Sequence, residues 1–104
     1  MARDSAQTEY LFRAPLWLYD GAAAWHFVTV PAAVSAELHA AHRGAQKPGG
    51  SVRVRVALGV TRWNTSIFWD RRRNAYLLPI KAQVRAREHL RTGDSVELSL
   101  TTVA

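Results

Sequence analysis

The chain has 104 residues, is 48% hydrophobic, and carries a formal net charge of +6 with no cysteine, which suits one small folded domain with a single core. No apolar run approaches the roughly 20 residues of a membrane span, the opening Met1-Ala2-Arg3-Asp4-Ser5 lacks the apolar stretch of a secretory signal, and the missing cysteines remove disulfides, thiolate nucleophiles and thiolate metal sites together. These exclusions point to a cytoplasmic protein of bacterial type.

Residues 1–7 are small and polar and read as a loose N-terminus, leaving 8–104 as one domain. From Thr8 the chain is rich in Tyr, Leu, Phe and Trp and predicts a strand over 8–18. Pro15 cannot donate to a ladder, so an edge position or a bulge is expected there. Asp20-Gly21 signals a turn, and 24–30 predicts the second strand of a hairpin. Pro31 suits the first position of a helix, in which Val34, Leu38 and Ala41 would share the buried stripe and Gly44 would be the stop. A flexible loop is expected over Gly44 to Gly50. Its Gly-rich run only superficially resembles a phosphate loop, because it lacks the lysine before Ser51 and follows a helix where the mechanism needs a strand.

Ser51 to Gly59 alternates strictly, with Val52, Val54, Val56 and Leu58 on one face and Arg53, Arg55 and Ala57 on the other. Gly59-Val60 turns the chain into a strand over 62–69, where Trp63, Thr65, Ile67 and Trp69 oppose Asn64, Ser66 and Phe68. Asp70 to Asn74 is a hairpin tip and 75–80 a returning strand. A second short helix is expected over 81–90, burying Val84 and Leu90. Gly93-Asp94 restarts an extended chain, and Val96, Leu98 and Leu100 alternate with Glu97, Ser99 and Thr101 as the last strand. The order β-β-α-β-β-β-α-β, with about six short strands and two short helices, predicts a mainly β fold, a small barrel or pseudobarrel. Val28-Thr29-Val30-Pro31 and Leu77-Leu78-Pro79-Ile80-Lys81 echo each other as strand, proline, short helix.

Thr65-Ser66-Ile67-Phe68, Tyr76-Leu77-Leu78-Pro79-Ile80-Lys81, Val84-Arg85 and Gly93-Asp94-Ser95-Val96 together resemble the bacterial domain of unknown function nineteen-zero-five (DUF1905). Phe12 to Trp17, Trp25-His26-Phe27-Val28 and Val30-Pro31 resemble its opening, so the likeness runs over about 9–101. Members often occur beside a YdeI/OmpD-associated segment, which is not found in these residues. The resemblance implies a barrel-like fold with helices at its ends, and it brings no established activity or catalytic residues. The family's hairpin after the Phe68 region tends to hold Pro and Gly, where Trp69 and Asn74-Ala75 stand here. A weaker likeness joins the Pro-Ile-Lys corner, the short helix and Gly-Asp to the swapped-hairpin module of AbrB-type DNA-binding regulators. That likeness implies an obligate dimer whose basic residues meet DNA, with Lys81, Arg85, Arg87 and Arg91 in the comparable stretch.

Four tryptophans in a chain this short invite two accounts. Trp25, Trp63, Trp69 and Tyr76 could line a pocket for an apolar or planar small molecule, with Arg53 or Arg55 orienting an anionic group. The plainer account makes the large rings core filler. The basic balance allows nucleic-acid contact through Arg71, Arg72, Arg73, Lys81, Arg85, Arg87 and Arg91, although twelve of the fourteen basic residues are Arg and the charge is dispersed. Glu97 could pair with Arg53 or Arg55 across strands. His39 and His42 have a spacing compatible with two metal ligands, but no third ligand is placed to join them. His26, between two aromatics, reads as a hydrogen-bonded strand residue. No serine elbow, triad or paired acid and base can be assembled. The sequence therefore reads as a non-enzymatic binding or accessory module without cofactor or metal, monomeric or homodimeric. Basic nucleic-acid binding is the alternative.

Overall fold

Period-two alternation becomes six strands wound into a closed barrel in the computed structural model, which describes residues 8–21, 23–42 and 50–103. The elements are β1 (Glu9–Leu18), β2 (His26–Thr29), α1 (Ala32–His42), β3 (Ser51–Leu58), β4 (Thr61–Asp70), β5 (Ala75–Pro79), α2 (Ala82–Arg87) and β6 (Ser95–Thr102). Their order is the expected one. The expected loose N-terminus over 1–7, the helix stop at Gly44 and the loop over 44–49 lie outside the described residues. No helix among the described residues is long and apolar enough to cross a membrane.

Around the ring the strands run β1-β2-β5-β4-β3-β6, and every pair is antiparallel. Val52, Val54, Val56 and Leu58 of β3 point inward with Val96, Leu98 and Leu100 of β6, and all are buried. One side chain in two from these two strands thus fills the interior. Closure leaves no edge for Pro15. It stands instead where β1 changes neighbours: Pro15↔Ser95 is the last pair with β6, and Leu16↔Val28 the first with β2. The missing N–H therefore falls outside the β2 ladder.

Gly59 and Val60 form the two-residue link between Leu58 and its partner Thr61. Gly59 has φ +61 and occupies the first central position, which type II′ hairpins reserve for glycine. A Cβ there would also run into the Glu88 carboxylate.

The echoed corners meet in the structure. Val28↔Leu78 is the centre of the β2/β5 pairing, and the bonds Val30 N–H to Tyr76 O and Ile80 N–H to His26 O (both 2.9 Å) lie symmetrically about it. Because β2 and β5 run oppositely and each leads straight into a helix, α1 and α2 sit at opposite ends of the barrel. Each helix also returns a side chain, five residues on, to the carbonyl that leaves the strand. Ser35 Oγ donates to Val30 O at 2.9 Å, and Arg85 Nε donates to Ile80 O at 3.2 Å.

Ser35 does more than its counterpart. Its hydroxyl also accepts the Tyr76 N–H at 3.0 Å, so one bond of the Val30/Tyr76 pair is relayed through a fully buried serine. The expected helix stripe had Ala41 in that role. Ala41 is exposed, whereas Ser35 and Leu38 are buried.

Helix α2 stops three residues short of the expected end. Leu90 N–H reaches Arg85 O at 2.8 Å and His89 N–H reaches Ala86 O at 3.3 Å, while His89 takes φ 55. This is a Schellman stop with histidine where glycine is usual. Leu90 still packs against the core from beyond the helix.

Candidate functional site

The barrel interior is filled. Leu16, Val28, Val54, Ile67, Leu78 and Leu100 are among the fully buried side chains, and Tyr76 is the one aromatic residue of the buried class among the described residues. The tryptophans do not gather there or at any other single place. Trp69 is half-buried near α1, where His39 stacks on it (centroids 3.8 Å apart, planes 4° apart) and Tyr76 meets it edge-on at 5.0 Å. Trp63 faces α2 at the other end. Trp17 and Trp25 belong to the outside of the barrel. Arg53 and Arg55 point outward from β3, three strands around the ring from β2, so neither stands near Trp25. Arg53 Nη1 donates to Ser66 Oγ at 3.5 Å.

The outer aromatic surface follows from register. Trp17 lies opposite Phe27, and Leu77 opposite both Thr29 and Phe68, so outward side chains of β1, β2, β5 and β4 form one row. Phe27 is its hub: Trp25 stacks on it (5.9 Å, 16°), Tyr19 meets it edge-on (6.0 Å, 84°) and Trp17 is tilted at 5.4 Å. Tyr19, Trp25, Phe27, Phe68 and Leu77 enclose a shallow, almost wholly apolar hollow of about 320 Å³. Leu77 at its floor is only 7% exposed, whereas Tyr19, Trp25 and Phe68 are 46%, 51% and 43% exposed.

One margin of this surface is pinned. Trp17 Nε1 donates to Thr29 Oγ1 at 2.9 Å, and the Arg73 guanidinium lies 4.3 Å over the Trp17 ring. Arg73 also pairs with Asp70, and that guanidinium holds the Asp70 carboxyl below the usual carboxylate range. The sequence signal for the row was the pattern of β4, where Phe68 faces away from Trp63, Ile67 and Trp69. Its meaning needed the neighbours of β4, which sequence spacing does not supply.

The basic residues divide between two ends. Arg71, Arg72 and Arg73 occupy the β4–β5 hairpin tip, whereas Lys81, Arg85, Arg87 and Arg91 follow β5 and surround α2 beside the start of β4. Ten residues of β4 separate the groups, about 30 Å of strand.

The remaining titratable residues mostly have structural partners. Glu97 pairs with Arg13 at 2.9 Å, not with Arg53 or Arg55, because Arg13 is its direct partner on β1 while β3 sets Arg55 opposite Thr101. His42 Nδ1 lies 3.0 Å from Leu38 O, and His26 Nε2 lies 3.2 Å from Thr92 Oγ1. Burial raises the Tyr76 phenol, and burial followed by the Glu37 hydrogen bond raises that of Tyr10.

A family model described as a domain of unknown function, DUF1905, matches residues 12–100, from within β1 to within β6. No curated protein matches the chain.

Proposed function

The chain belongs to the DUF1905 family, whose description carries no activity, and on that footing we propose that it is a non-enzymatic binding module that holds an apolar, planar group in the outer aromatic hollow. The supporting observation is the hollow itself. Three large rings stay about half exposed around a nearly wholly apolar floor on a protein whose interior is already filled. Leaving such surface in water is unfavourable by about 25 cal/mol per Å², and a flat hydrophobic ligand between Trp25 and Phe68 recovers that free energy. Of the residues first read as ligand-binding, Trp25 belongs to this site. Trp63, Trp69, Tyr76, Arg53 and Arg55 lie elsewhere, and Tyr19, Phe27, Phe68 and Leu77 take their place.

Nucleic-acid binding through Arg71, Arg72, Arg73, Lys81, Arg85, Arg87 and Arg91 has less support. The two groups lie at opposite ends of the barrel, and Arg73 is engaged with Trp17 and Asp70.

The test is titration with neutral planar probes, 1-naphthol and indole, followed by amide shifts in a two-dimensional NMR spectrum. Shifts should centre on Trp25, Phe27 and Leu77. Trp25→Ala and Phe68→Ala should each weaken binding about tenfold while moving the melting temperature by less than about 3 °C, since both rings are half exposed. No shift with either probe, or unchanged affinity in both variants, overturns the reading.

A further inference from the structure

A second hollow, sharing no lining residue with the aromatic one, lies between the start of β4 and α2. It measures about 520 Å³ and is lined by Thr61, Arg62, Trp63, Lys81, Gln83, Val84, Ala86 and Arg87. Three of these side chains are cationic and none is a carboxylate. The ion pairs among the described residues are Arg13–Glu97 and Arg73–Asp70, so Arg62, Lys81 and Arg87 have no acidic partner among those residues. The nearby carboxylate, Glu88, is held at the margin by Thr61 Oγ1 at 2.6 Å and the Val60 N–H at 3.3 Å.

Trp63 adds an independent observation. Its Nε1 is buried without a hydrogen-bond partner among the described residues, and an unsatisfied buried donor costs about 1–3 kcal/mol. A ligand acceptor that reached this nitrogen would remove that cost. An indole among the lining residues suits a planar group, and guanidiniums suit the fork geometry of a phosphate.

We infer that the β4–α2 cleft is a site for a phosphorylated planar small molecule of nucleotide size, its phosphate held by Arg62, Lys81 and Arg87 and its ring laid against Trp63. The cleft's volume falls in the range of small-molecule sites. A polynucleotide fits less well, because Arg71–Arg73 lie at the far end of the barrel and Arg85 Nε of α2 is turned back onto Ile80 O.

Calorimetric titration with adenosine 5′-monophosphate, adenosine, inorganic phosphate and a short oligothymidylate tests this, with the Trp63 indole N–H resonance as the local reporter. The monophosphate should bind about tenfold tighter than adenosine or phosphate alone and should move the Trp63 indole signal. Arg62→Gln and Arg87→Gln should each weaken it about tenfold without altering naphthol binding at the aromatic hollow. Absent binding, an unmoved indole signal, or wild-type affinity in both glutamine variants overturns the inference. Phosphate binding as tightly as the monophosphate reduces the cleft to an ion site, and tighter binding of the oligothymidylate reassigns it to nucleic acid. Either result also overturns the inference.

Discussion

Replacing Ser35 by alanine removes a single oxygen from the interior, yet that oxygen completes the end of a β ladder. The hydroxyl donates to Val30 O and accepts from Tyr76 N–H, at 2.9 and 3.0 Å, with no exposure to solvent. Each buried backbone group deprived of this partner costs about 1–3 kcal/mol. Alanine's better helix propensity returns roughly 0.5 kcal/mol, which leaves a net loss of about 3 kcal/mol. An unfolding entropy near 2.1 cal/mol/K per residue gives about 0.22 kcal/mol/K for a chain of this length. The melting temperature should therefore fall by about 14 °C. Urea unfolding followed by tryptophan fluorescence would give the free energy directly. Amide exchange at Tyr76 should speed up more than at Leu78, whose ladder is intact. Ala36→Ser, at an exposed position of the same helix, isolates the propensity term and should cost only about 0.5 kcal/mol. If Ser35→Ala melts within about 2 °C of the wild type, the strands close directly onto each other and the relay carries no stability.

Two further perturbations probe the local chemistry. His89→Gly should stabilise the protein by about 0.5–1 kcal/mol in the same urea assay, because the residue holds φ 55 at the Schellman stop and is exposed; a loss of stability would mean that the imidazole makes contacts that matter more than the backbone. Asp70→Asn keeps an acceptor for Arg72 N–H and removes the charge facing Arg73. Since the folded Asp70 carboxyl titrates below its ordinary value, its contribution is fully present above about pH 5 and is lost as pH falls through the depressed value. Urea midpoints across a pH series should show the wild type ahead by under about 1 kcal/mol near neutrality, with the two proteins converging in acid. A gap that widens as pH falls would contradict the sign.

Alternation along the chain was enough to assign inward and outward faces. From Val52 to Val56 of β3 and from Val96 to Leu100 of β6 apolar and polar residues switch every position, and a strand allows only one face to each parity. The prolines were nearly as informative, since Pro31 and Pro79 mark the two places where a strand gives way to a helix. Family membership was legible for the same reason: it rests on the punctuation of those corners and of Gly93-Asp94.

The candidate site was far less legible. Trp25, Trp63 and Trp69 looked alike in sequence, but β2, β4 and the two helices send them to the outer wall and to opposite ends. Phe68 and Leu77 became site residues because β4 and β5 are neighbours with that register. Glu97 found Arg13 because β1 closes the ring onto β6. Ser35 gave no apolar signal at all, since its burial serves a hydrogen bond between two strands that lie far apart along the chain.

The sequence by itself therefore determined the order of the elements, the inward and outward parity of β3 and β6, and the family, because those depend on residues a few positions apart. Only the tertiary structure decided which strands are neighbours, which end each helix covers and which aromatic rings stay in water. Those outcomes depend on pairings between distant segments, whose free energy comes from closing the barrel as a whole.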